Sequence, residues 1–227
     1  GGSLFEQVGK NKYRAGYNNQ AGFDTLKLYI DVVYKHRYTA MDIKHDAEAF
    51  ATGASAMFVR ESWLVGYMKT NAPHVNYNVG PMPAYKKPNA LYFWTNVYVT
   101  ASSKYPDEAA DFLMFMANGP RLKELEDIQY ETVGWLPPRN DVLKRHPNIY
   151  AETPQYEYFA EVPAHYELYP YPRLSVTDEA LTKLAERLVA AFQHENLLDN
   201  PDGMWKTLSD AADETNRILK ENGLYGE

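Results

Sequence analysis

Apolar side chains recur at three- and four-residue steps in several stretches of the chain, the spacing that lines one face of an α-helix. Phe23, Leu26, Ile30 and Val33 form the first such stripe. It predicts a helix that follows the turn residues Gly16 to Asn19 and Gly22 and ends near Tyr34-Lys35-His36. Tyr17, Asn18 and Asn19 read as a turn with a helix cap. A short helix is expected over Asp46 to Ala51, stopped by Gly53, and another over Glu61 to Met68. Between them, Ala56-Met57-Phe58-Val59 is a short apolar run whose length suits a buried strand.

Val75 to Pro83 reads as extended, and Pro81-Met82-Pro83-Ala84-Tyr85-Lys86-Lys87-Pro88 continues neither a helix nor a central strand. This stretch is the best candidate boundary. From Leu91 to Thr100 the side chains alternate, with Tyr92, Trp94, Asn96 and Tyr98 on one face, which predicts a strand. Pro106-Asp107-Glu108 opens a helix with the expected buried stripe Ala109, Phe112, Phe115 and Met116, stopped by Asn118-Gly119-Pro120. Arg121 to Ile128 predicts one more helix, and Asn148 to Pro172, dense in Tyr, Pro and Glu, predicts little regular structure. Ser175-x-x-Asp178 resembles a capping box before a helix burying Leu181, Leu184, Leu188 and Phe192. Asp199 to Gly203 is a tight turn, and a final helix places Trp205, Leu208, Ala212 and Leu219 on one face. Helices dominate, with strands between them, which implies α/β layering and an incomplete sheet.

Composition narrows the function. A formal net charge of −7, with no clustered Lys and Arg, argues against nucleic acid as a partner. Cysteine is absent, which excludes disulfides and thiolate metal sites, and the histidines lack metal-ligand spacing. No apolar run approaches the roughly 20 residues that span a bilayer. No metal and no cofactor are expected. The aromatic share is 14%, with 19 tyrosines, and such side chains suit wet binding surfaces as well as cores.

Three stretches carry a resemblance. Phe50-Ala51-Thr52-Gly53-Ala54-Ser55-Ala56-Met57 followed by Trp63 is the first, and Ser103-Lys104-Tyr105-Pro106-Asp107-Glu108-Ala109-Ala110-Asp111-Phe112 the second. Gly134-Trp135-Leu136-Pro137-Pro138-Arg139 is the third. In this order and spacing they resemble family 1 of the extracellular solute-binding proteins, the receptors of bacterial ABC importers that include maltose-binding protein. Glu61 stands where that pattern often has glycine.

The resemblance implies an α/β, helix-rich, periplasmic-binding-protein-like fold of class II, with ligand held between two lobes. Residues 1–90 and 146–227 would belong to the C-terminal lobe, and 91–145 to the N-terminal lobe. Family members are longer, so the rest of that lobe would precede Gly1. The expected function is capture of a sugar or oligosaccharide, without chemistry on it, and delivery to permease subunits. The expected protein is a monomer, periplasmic or extracellular, with lipid anchoring of a longer precursor left open. Candidate ligand-binding residues are Trp63, Trp94, Trp135, Arg60, Glu61 and Asn96.

Each has a plainer reading. Trp63 and Trp94 could stack on a sugar ring or anchor local packing, and Trp135 could recognise a ligand or pack a hinge. Arg60 and Glu61 could bond hydroxyls or form a solvated pair, while Trp205 reads as core. The tyrosines at 156, 158, 166, 169 and 171 could line a cleft or pack. The alternative function is a carbohydrate-active hydrolase using a carboxylate pair about 5 to 9 Å apart, and a helical scaffold without a small ligand is a third reading.

Overall fold

The computed structural model describes residues 2–43, 45–92, 96–136, 140–193 and 195–227, so Trp94 and the stretch 137–139 lie outside the described residues. In chain order the elements are β1 (Phe5–Gly9), β2 (Lys12–Ala15), α1 (Gln20–Ile30), α2 (Asp46–Ala51), α3 (Trp63–Asn71) and β3 (Asn89–Tyr92). Then come α4 (Pro106–Asn118), α5 (Leu122–Asp127), α6 (Asn140–Arg145), α7 (Ile149–Glu152) and α8 (Gln155–His165). β4 (Glu167–Pro170), α9 (Thr177–Phe192) and α10 (Pro201–Glu221) complete the set. Wider π-helical turns continue α1 through Asp31–Lys35 and α5 through Ile128–Val133. The elements divide into two units, residues 1–43 with 172–227, and residues 44–171.

The first unit is organised by α10. Its buried residues Met204, Leu208, Ala211, Ala212, Thr215, Ile218 and Leu219 follow helical spacing along one stripe. One end of that stripe packs with Leu26 and Ile30 of α1 and Ala191 of α9; the other packs with Val176 and Ala180. Tyr17 meets α10 through a 2.8 Å hydrogen bond between its hydroxyl and that of Thr215. Asn19 caps α1 by accepting from the amides of Ala21 and Gly22, as the turn residues predict. β1 and β2 form an antiparallel hairpin that the sequence reading passed over. The chain end joins β2 through Tyr13 N–H to Leu224 O at 2.8 Å.

The second unit has two cores on the two sides of α3. Leu64 and Met68 pack with Ala47 and Ala72, bordered by Phe50, Phe58, Trp63 and Tyr77. Val65 packs instead with Tyr130, Val142, Ile149 and Tyr156. A hydrophobic residue at each of positions 64 and 65 thus lets one short helix hold two layers. α2 spans Asp46–Ala51 as its pattern predicts.

Several expectations give way. Ala56 to Val59 is not a strand: Met57 is 85% exposed, and only Phe58 turns inward, against Phe50 at 4.8 Å. A strand needs a neighbour for its amides, and among the described residues this run has none. The strand expected from Leu91 to Thr100 reduces to β3 among the described residues. Its parallel partner β4 is four residues long and ends at Pro170, which has no amide to extend the ladder. On α4 the expected stripe is not buried, with Phe112 60% exposed. The principal neighbour of α4 is the short α5, which offers too little surface opposite.

The region 148–172 is more regular than its composition suggests, holding α7, α8 and β4. Buried Ile149 and Tyr156 anchor it, and Pro163 falls in the last turn of α8, only two residues before the helix ends. Of its tyrosines Tyr156 packs, while Tyr158, Tyr169 and Tyr171 remain more than a third exposed. Among the described residues Ser175 caps nothing: α9 begins at Thr177, whose own hydroxyl accepts from the Leu174 amide at 3.1 Å. Leu184, Leu188 and Phe192 are half-buried on α9, as their spacing implies. Trp205 is not a core residue but stacks on Phe23 at 4.8 Å at the margin.

Candidate functional site

Charged and aromatic side chains converge where the chain enters α3. Asp46, the first residue of α2, accepts from the Ala47 amide through Oδ1 and meets Arg60 Nε through Oδ2 at 2.8 Å. Arg60 Nη1 lies 3.7 Å from Glu61 Oε2, and the Nε1–H of Trp63 donates to that same oxygen at 2.8 Å. The Arg60 guanidinium carbon sits 5.2 Å from the centroid of the Trp63 ring, a cation–π distance. Tyr67, one helical turn on, meets Trp63 edge to face at 6.1 Å. Trp63 is half-buried against the Leu64–Met68 core, while Arg60 and Glu61 keep a third or more of their side-chain surface in solvent.

A second tryptophan reaches the same end of α3 through the backbone. The turn at Thr132 to Gly134 lies directly on it: a Cβ on Gly66 would sit 2.4 Å from Thr132 O. Gly134 has φ of 82°, and a Cβ there would sit 2.8 Å from Gly66 N and 3.1 Å from Trp63 O. Trp135 follows at once, its amide donating to Gln129 O at 3.0 Å and its side chain 41% exposed. Two glycines therefore bring the Trp63 and Trp135 segments into backbone contact.

Of the six residues singled out by sequence, the structure gathers Arg60, Glu61 and Trp63 and brings the Trp135 segment beside them. Asn96 is exposed outside regular structure, and no hydrogen bond, ion pair or ring contact joins it to this group among the described residues. Trp94 lies outside the described residues. Sequence reasoning missed Asp46 and Tyr67. Asp46 reads as an ordinary acidic helix start, and its distance in sequence from Arg60 hides the pairing; Tyr67 follows Trp63 at an i,i+4 step, a signal that could have found it.

A partly buried ionic network steadies the helix that leads to Trp135. Glu126 is 4% exposed and accepts from Arg145 Nε at 2.8 Å, with a further Arg145 contact through Nη2. Arg145 also meets Asp141 at 3.0 Å, and His146 lies 3.2 Å from both Glu126 and Asp127. The Arg145 hydrogen bonds, helped by His146, hold the Glu126 carboxyl below the usual carboxylate range against the opposing effect of burial. Tyr156 donates to Tyr130 O in the adjoining core, and burial pushes its hydroxyl up to about 12. Two shallow hollows, of about 320 and 190 Å³, lie along α9 and α10 by Arg187, away from these tryptophans in the sequence and in the other unit.

A sequence model described as bacterial extracellular solute-binding protein matches residues 2–157, more than two thirds of the chain. The chain belongs to that family. For this solute-binding protein the match spans the α2–α3 and Gly134–Trp135 segments, and it ends within α8. Membership carries a periplasmic-binding-protein-like fold and a role in holding a small solute outside the cytoplasm. No curated protein matches the chain. Among the described residues, no helix of the solute-binding protein is long and apolar enough to cross a membrane.

Proposed function

We propose that this protein is the substrate-binding component of a bacterial ABC importer and that it captures a sugar or oligosaccharide through the Arg60–Glu61–Trp63 group, with Trp135 beside it. The observation that carries the reading is the fixed indole of Trp63, tied to Glu61 and set among partly exposed charged groups. A sugar ring has apolar faces and a rim of hydroxyls, so an aromatic beside charged hydrogen-bonding groups matches both. Arg60 and Glu61 keep 33% and 43% of their side-chain surface in solvent, which leaves donor and acceptor groups within reach of hydroxyls.

In this reading the ligand is held unchanged between two lobes and handed to membrane permease subunits by a protein acting as a monomer in the periplasm or outside the cell. The lobes are of the class II type, with residues 1–90 and 146–227 in the C-terminal lobe and 91–145 in the N-terminal lobe. Both proposed boundaries fall within the unit formed by residues 44–171. A lipid anchor on a longer precursor and ligand contacts from Trp94 and Asn96 belong to the same proposal. Lobe closure is a population shift in which ligand favours the closed form.

The test is titration of the chain with a panel of neutral oligosaccharides, following tryptophan emission. Saturable change with at least one sugar, and recovery of that sugar unaltered, is the expected result. Shortened products would instead indicate hydrolysis, and no response to any sugar would exclude a sugar receptor.

A further inference from the structure

Arg60 is the cation of the proposed site, and its charge is already answered. Asp46 lies 2.8 Å from Arg60 Nε and Glu61 lies 3.7 Å from Nη1, so two carboxylates face one guanidinium. Arg60, Asp46 and Glu61 together carry one negative charge in excess, with the His45 ring nitrogen Nδ1 3.8 Å from Asp46 Oδ1, on a chain whose formal net charge is −7. Asp46 is held in place independently of Arg60, because its other oxygen accepts from the Ala47 amide at the start of α2. An arginine poised for a carboxylate or phosphate ligand would present its planar fork without a competing anion. Here Asp46 holds one side of that fork, and the ring of Trp63 lies 5.2 Å beneath it.

We infer that Asp46 is a specificity-determining residue: by balancing Arg60 it makes the site accept neutral sugars and reject their acidic counterparts. The inference rests on the sugar-receptor reading above and refines it. A neutral hydroxyl needs only a donor or an acceptor, and the exposed parts of Arg60 and Glu61 offer one of each. A uronate or sugar phosphate would bring a further negative charge towards two carboxylates. Rejection by unfavourable charge is a common route to specificity. Asp46 acts through Arg60 and is a positioning residue.

Calorimetric titration of the full chain with two matched pairs, glucose with glucuronate and galactose with galacturonate, tests this. At least one neutral member is expected to bind at least tenfold more tightly than its uronate. Asp46→Asn keeps an oxygen for the Ala47 amide and frees Arg60, and is expected to narrow that ratio at least threefold. Raised salt is expected to narrow the ratio in the wild type and to change it little in the variant. Glu61→Gln, which keeps an acceptor for Trp63, gives a second variant with the same expected direction. A purely structural role for Asp46 would weaken both members equally and leave the ratio fixed, which would overturn the inference. Equal binding of a neutral sugar and its uronate by the wild type would overturn it while leaving the sugar receptor standing. No binding by any of the four would overturn this inference, while the sugar receptor would still be decided by the oligosaccharide panel.

Discussion

Trp63 and Glu61 are joined by a hydrogen bond of 2.8 Å from the indole Nε1–H to Oε2, across only two residues of chain. The bond fixes the ring where α3 begins, and the Leu64–Met68 core supports the ring's inner side. A ring set in advance binds with less loss of side-chain freedom. Glu61→Ala is therefore expected to lower stability by about 1 kcal/mol and to shift the tryptophan emission. Glu61→Gln, which retains an acceptor, should keep most of the wild-type spectrum.

Gly134 and Gly53 offer a matched comparison. Both have positive φ, 82° and 78°, but a Cβ on Gly53 meets nothing within 4 Å. Gly53→Ala should cost about 1 kcal/mol, from backbone conformation alone. Gly134→Ala must also push apart the Trp135 segment and α3, and should cost roughly 2–4 kcal/mol. Denaturant unfolding of the two variants measures the difference.

Glu126 ties the second unit to pH. Its carboxyl titrates below the ordinary range because Arg145 and His146 bond its charged form. A depressed folded-state value means that its stabilisation is present above the unfolded carboxylate range, near pH 4 to 5, and lost as pH falls through the lower folded value. Glu126→Gln should lower stability at pH 7 by about 2 kcal/mol and flatten the acid limb. Unfolding midpoints between pH 7 and pH 3 check both.

Tyr156 acts at the other end of the scale. Burial pushes its hydroxyl up to about 12. The stabilisation linked to its neutral form is complete below the ordinary tyrosine value near 10 and is lost as pH rises through the folded value. The stability difference between wild type and Tyr156→Phe should be constant up to about pH 10 and shrink above it. Because the other tyrosines titrate in both proteins, the difference isolates this hydroxyl.

Local signals in the sequence translated well where one short stretch settles its own structure. Asn19 caps α1, Asp46–Ala51 is helical, and Asn118-Gly119 ends α4, each set by neighbours within a few residues. The failures needed a distant partner. Among the described residues Met57 and Val59 have no neighbouring strand, and Phe112 stays 60% exposed on α4, neither of which periodicity can report. Tyr156 lies in a stretch of irregular composition, and its hydroxyl finds its acceptor on Tyr130, 26 residues away. At the site, Arg60, Glu61 and Trp63 were legible because they are consecutive or nearly so. Asp46 was not, because only the fold of the α2–α3 region brings it to Arg60.

In the proposed function Trp63 is a ligand contact and not only a packing residue. Calorimetric titration of wild type and Trp63→Phe with the neutral oligosaccharide that binds the wild type most tightly tests it directly, after both have been shown to be folded by their unfolding transitions. The variant is expected to lose at least tenfold in affinity, about 1.4 kcal/mol. Equal affinity in the two proteins would contradict it.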